Sequence, residues 1–149
     1  MESKFNFNSQ ICTTREQSER LFALGLKKET ADMFYAAIHK GTKIVGYRLS
    51  PIYNEYNFEI FTDDIPAWSL GILIEMLPSP IPISEDLPTF HHYAYLDLSK
   101  VSAHYYWEYY DGAERALASF CGNGLFAAVV DAIEWLIKEG NFPKEYLEE

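Results

Sequence analysis

With 149 residues, 48% of them hydrophobic, the chain is long enough for one ordinary domain of residues 1–149 with a core of its own, so neither disulfides nor a metal is needed to hold it together. The formal charge of −10 is divided unequally: +3 over residues 1–48 and −13 over residues 49–149. An acidic surface repels phosphates, so direct nucleic-acid binding is disfavoured and solubility or a basic protein partner is favoured.

Cys12 and Cys121 stand far apart without metal-ligand spacing and read as free thiols in a reducing compartment. Residues 1–12 hold Glu2, Asn6, Asn8 and Ser9 rather than a continuous apolar run, so no signal peptide is expected. No stretch reaches the roughly 18 uncharged apolar residues of a membrane span. A cytoplasmic protein without membrane association is the expectation.

In chain order, Thr13 with Glu16 and Thr14 with Gln17 form overlapping capping boxes, so a short helix should start here. Leu21, Leu24 and Phe22 give it an apolar side, and Gly25 suits its end. Thr30 then caps a second predicted helix, with Met33, Phe34, Ala37 and Ile38 on one face and Gly41 closing it. The two make a helical hairpin over 14–40. From Thr42 the pattern changes: 43–49 and 56–61 are rich in β-branched and aromatic residues and predict strands joined by a loop at 50–55.

The stretch 63–78 reads as the organising helix of the core. Asp64 is its expected cap, Pro66 suits its first turn and Pro78 ends it, while Ile65, Trp68, Leu70, Leu73, Ile74 and Leu77 form an apolar face. Pro78, Pro80 and Pro82 then mark an extended connector. Beyond it, 93–98 alternates and 103–110 leads into Asp111-Gly112, a strong hairpin signal with 113–121 as return strand. A two-residue turn there pairs Glu108 with Arg115, Trp107 with Ala116 and His104 with Ser119, leaving Trp107 and Tyr105 on the core face. Gly122-Asn123-Gly124 is a capped turn rather than a phosphate cradle, because the rest of any nucleotide fingerprint is missing. Phe126, Val129, Val130, Ile133, Leu136 and Ile137 then form the stripe of the longest predicted helix, 125–139, with Glu134 and Lys138 as a favourable pair on its solvated face. The tail from Asn141 to Leu147 keeps enough apolar side chains to fold back.

Together these elements predict an α+β fold: a mostly antiparallel sheet of about five strands, two main helices on one face, and the N-terminal helical hairpin at an edge.

The phrases Thr14-Arg15-Glu16-Gln17-Ser18-Glu19-Arg20-Leu21, Leu24-Gly25-Leu26-Lys27-Lys28-Glu29-Thr30-Ala31-Asp32-Met33, Asp64-Ile65-Pro66-Ala67-Trp68-Ser69-Leu70 and Glu134-Trp135-Leu136-Ile137-Lys138-Glu139-Gly140 carry a resemblance. They resemble those of a family of short uncharacterised proteins encoded by anaerobic gut bacteria and their phages or mobile elements. The resemblance implies a mobile-element accessory protein and brings no catalytic role with it.

Candidate chemistry is sparse. The expected register sets Cys121 diagonal to His104, which would give a small cysteine-dependent hydrolase or transferase a thiol and an imidazole, yet no orienting carboxylate or oxyanion donor accompanies them. His91 and His92 are adjacent, so in a strand they face opposite ways and cannot share a metal ion. No cofactor or metal is expected. The aromatic surplus is more informative. If Trp107 faces inward, Tyr106 and Tyr110 face outward, with Tyr93 and Tyr95 extending the surface on the neighbouring strand. Tyrosine gives large contact area with little rotamer freedom to lose. The leading expectation is a non-enzymatic interaction protein that uses Tyr93, Tyr95, Tyr106 and Tyr110 to meet a protein partner or a second copy in a homodimer.

Overall fold

The computed structural model describes residues 10–52, 63–82, 93–101, 104–111, 116–121 and 124–149. Helix α1 (Arg15–Ala23) opens on one of the two expected boxes: Gln17 N–H donates to Thr14 Oγ1 at 3.2 Å and Thr14 N–H donates to Gln17 Oε1 at 3.0 Å. Gly25 follows with φ +92°, and Leu21 is buried while Phe22 lies 51% exposed.

The second half of the expected helical hairpin is a strand. β1 (Met33–Lys40) pairs antiparallel with β2 (Lys43–Pro51), from Met33 opposite Pro51 to Lys40 opposite Lys43. Gly41 has φ +66°, a conformation that serves a helix C-terminus and a two-residue hairpin turn equally well. Apolar residues in a short run fit either period, and here the adjacent strands decide. The expected strand at 56–61 lies outside the described residues.

The organising stretch is also corrected. Ile65–Ala67 is strand β3, paired with β1 through Met33 opposite Ala67 and Tyr35 opposite Ile65. Pro66 sits on this edge strand, where its missing N–H costs no ladder bond. Asp64 does not cap a helix; its Oδ1 accepts the Ala37 N–H at 2.9 Å and so continues the edge of β1. Helix α2 (Leu70–Met76) begins only after Ser69, whose Oγ accepts the Ile72 N–H at 3.4 Å. Leu73 and Met76 turn inward, whereas Ile74 is 38% exposed.

Among the described residues two antiparallel sheets therefore stand in place of the expected single sheet of about five strands: one of three strands ordered β2-β1-β3, and one of four strands taken in chain order. In the second, β4 (Ile81–Pro82), expected as connector, pairs with β5 (Tyr93–Val101), and β5 pairs with β6 (His104–Asp111). β7 (Ala116–Phe120) completes it in a register different from the expected one: Trp107 lies opposite Phe120, Glu108 opposite Ser119 and Tyr109 opposite Ala118. Gly112 to Arg115 lie outside the described residues, and the observed ladder does not fit a two-residue turn at Asp111-Gly112. Trp107 meets a large ring rather than the alanine expected for it.

Helix α3 (Leu125–Lys138) matches its predicted span to within a residue, with Phe126, Val129, Val130, Ile133 and Leu136 buried. It covers one face of the second sheet, where the Trp135 ring lies 5.8 Å from both Tyr109 and Phe120. Buried side chains from α1, α2, β4, β5, β6 and α3 form one cluster, which Phe142 joins from the returning tail. The tail is fixed by Lys27 N–H to Tyr146 O at 2.9 Å and Glu148 N–H to Gly25 O at 2.7 Å. No helix among the described residues is long and apolar enough to cross a membrane.

Candidate contact surface

Strand alternation assigns the two faces of the second sheet. Ala94, Trp107 and Tyr109 are buried on the side covered by α3. The Tyr109 hydroxyl donates to Pro78 O at 2.7 Å, and burial pushes its pKa up. The opposite side carries Tyr93, 51% exposed, with Asp97 and Ser119 exposed and Glu108 half-buried. Of the other expected contact tyrosines, Tyr95 aligns with Tyr110 and Tyr106 with Ser99, all at ladder positions alternate to Trp107 and Tyr109.

Asp97 and Glu108 are direct ladder partners. Like charges placed directly opposite one another destabilise a sheet. Glu108 Oε1 accepts the Ser119 hydroxyl at 3.1 Å, and among the described residues neither carboxylate is paired with a cation. The expected Glu108 and Arg115 pair is not formed in this register, since residue 119 rather than 115 lies opposite Glu108. Sequence reasoning misses this carboxylate pair, because pairing Glu108 with Arg115 leaves Asp97 unconsidered.

The cysteine alternative fares differently. His104 is the ladder partner of Val101, and Ser119 aligns with Glu108, so the expected register joining His104 to Ser119 is absent. Cys121 follows the end of β7 and is exposed. His91 and His92 lie outside the described residues. Among the described residues no group of three or more His, Cys, Asp or Glu side chains could hold a metal ion.

A second surface stands out at the tip of the β1 and β2 hairpin. Ile38 is 47% exposed, Ile44 41% and Val45 58%. Val45 is the extra residue of a bulge, since Ile38 pairs with Gly46 while His39 pairs with Ile44. Lys40 and Lys43, both exposed, face each other across the turn. Expected as part of a helix and a strand, these residues could not be seen as one tip from the sequence.

A buried polar junction is built around Thr13 and Trp68. Thr13 N–H donates to Trp68 O at 2.9 Å, Trp68 N–H donates to Thr13 Oγ1 at 3.0 Å, and Ser18 Oγ lies 2.7 Å from that same oxygen. The Trp68 indole N–H donates to Thr30 Oγ1 at 2.9 Å, and Ser69 N–H donates to Asp32 Oδ1 at 2.8 Å. The Tyr35 hydroxyl donates to Thr13 O at 2.8 Å with the Cys12 thiol 3.6 Å away. Burial raises the Cys12 pKa and pushes Tyr35 up to about 12, so both are held neutral. Every polar group in this junction has a partner within the chain, and its role is to join α1, β1 and the segment entering α2.

No protein-family model matches the chain, and no curated protein or solved structure was found to be similar to it.

Proposed function

We propose that the protein is a non-enzymatic interaction protein, an accessory protein of a phage or mobile element, and that the outer face of the second sheet is its contact surface for a protein partner or a second copy. The observation that supports this reading is the pairing of a half-exposed Tyr93 with the directly opposed Asp97 and Glu108, which have no cation partner among the described residues, on the side away from α3. A sheet face left to water alternates to polar residues that tolerate one another. Here the ladder sets two carboxylates together in a row that includes the backbone positions of Tyr95, Tyr106 and Tyr110. A basic protein surface would relieve the repulsion while the tyrosines supply contact area. The accessory role rests on the resemblance of the four sequence phrases given above.

The test is recovery of partners on the tagged chain from its own host. A specific, stoichiometric protein retained by the wild type and lost from Tyr106→Ala and Tyr110→Ala supports the reading. Unchanged recovery and unchanged solution mass for both variants would sink it. Cys121→Ala is expected to leave recovery intact, and loss with that variant alone would favour a cysteine-dependent hydrolase or transferase.

A further inference from the structure

We propose that the occupant of this face is a second copy of the chain, and that the tip of its β1 and β2 hairpin is the part that docks. The inference rests on reading the outer sheet face as a contact surface. Asp97 and Glu108 stand directly opposite in one antiparallel ladder, and Lys40 and Lys43 stand directly opposite in another. Directly opposed residues in such ladders have Cβ atoms about 4.5–5.5 Å apart, so the two pairs are similarly spaced and opposite in sign. Each pair is self-repelling in the free chain, and contact between them removes both penalties.

The apolar parts match as well. Ile38 lies two residues from Lys40 in β1, on the same side of the hairpin as the Lys40 and Lys43 pair, and is 47% exposed, while Tyr93 is 51% exposed on the face. Two acidic faces cannot meet each other, because each would bring its own unpaired carboxylates. The contact therefore joins unlike surfaces, hairpin to sheet, and two copies that engage reciprocally close it as a two-fold dimer. A hairpin tip covers much less than the roughly 1,200–2,000 Å² of a stable interface, so the association is weak and becomes substantial only where two copies engage reciprocally or the local concentration is high.

Sedimentation velocity of the full chain across a concentration series, at roughly physiological salt, tests this directly. The wild type is expected to self-associate reversibly. Lys40→Glu with Lys43→Glu, and separately Asp97→Lys with Glu108→Lys, should each weaken self-association by roughly tenfold or more. The decisive arm is mixing. Each charge-reversed chain now repels its own kind but offers the other a complementary pair, so an equimolar mixture should recover a mixed complex. Ile38→Asp, exposed on the same side as Lys40 and Lys43, is a second probe that leaves both charge pairs in place and should also weaken association. A wild type that stays monomeric, or tip variants that associate like the wild type, or a mixture that fails to associate, would overturn the proposal. Binding of a monomeric wild type to vesicles containing phosphatidylserine would overturn it too. If the chain is monomeric but Tyr106→Ala and Tyr110→Ala still abolish partner recovery, the second copy is wrong and the contact surface stands. If those variants change neither mass nor recovery, both fall.

Discussion

Thr13 joins three segments through one hydroxyl and one peptide group. Its Oγ1 accepts the Trp68 N–H at 3.0 Å, and Ser18 lies 2.7 Å away, all without exposure to water. Thr13→Val keeps the shape and leaves a buried N–H and a buried hydroxyl with one partner fewer, which should cost about 1–3 kcal/mol in denaturant unfolding. Thr14→Ala, which removes only the helix cap, should cost about 1 kcal/mol. Tyr35 makes a prediction in pH. Its folded pKa is raised to about 12 from an ordinary 10, so the folded state keeps a proton that the unfolded state loses. Stability from this group is complete below pH 10 and is lost as pH rises toward 12. Cys12 shifts in the same direction and adds to the loss from about pH 9. Thermal midpoints measured from pH 8 to 11 should fall for the wild type, and fall less steeply for Tyr35→Phe.

At the scale of elements, a charge cluster ties α1 to α3. Arg20 pairs with Asp131 at 2.9 Å and also with Glu134, and Lys138 reaches Glu134 at 2.6 Å. Lys138 and then Arg20 hold the Glu134 carboxyl below its ordinary pKa. A depressed carboxyl contributes stability above its unfolded pKa and loses it as pH falls through the folded value, so the cluster weakens below about pH 4. The groups are largely solvated, so a double-mutant cycle of Arg20→Met and Glu134→Gln should give a coupling of only about 0.2–1 kcal/mol at pH 7, reduced by salt. A coupling that persists at pH 2 would show that it is not electrostatic.

Glu134 and Lys138 were visible as a pair from their spacing, and so were α3, the Thr14 capping box and the tail that folds back. These signals are local: a period, a cap or a glycine decides them without reference to the rest of the chain. Residues 33–40 and 65–67 were not legible, because their state is set by partners distant in sequence. Pro66 and Asp64 fit a helix start as well as they fit an edge strand, and only β1 beside them settles which. The register of β7 was misread for a related reason. An attractive Glu108 and Arg115 match implied a tight turn, whereas the stacking of Phe120 and Tyr109 against Trp135 aligns the strand elsewhere. Alternation alone sets the backbone positions of Tyr106 and Tyr110 apart from Trp107, whereas the opposed carboxylates emerge only from the ladder.

For the whole molecule, the second sheet is used on both sides: α3 covers one, and the other is proposed to meet a protein. Tyr109 and Tyr110 are neighbours in β6 and belong to opposite rows of the ladder. Tyr109→Phe removes the bond to Pro78 O and should lower stability by about 1–3 kcal/mol while leaving binding intact. Tyr110→Ala should do the reverse. The most direct measurement is the affinity of the two variants for the protein recovered on the wild-type chain, taken with their unfolding midpoints. The account predicts that Tyr110→Ala binds at least about fivefold more weakly, equivalent to ~1 kcal/mol, with little change in midpoint. Wild-type affinity for Tyr110→Ala, or an affinity loss that only follows a loss of stability in both variants, would contradict it.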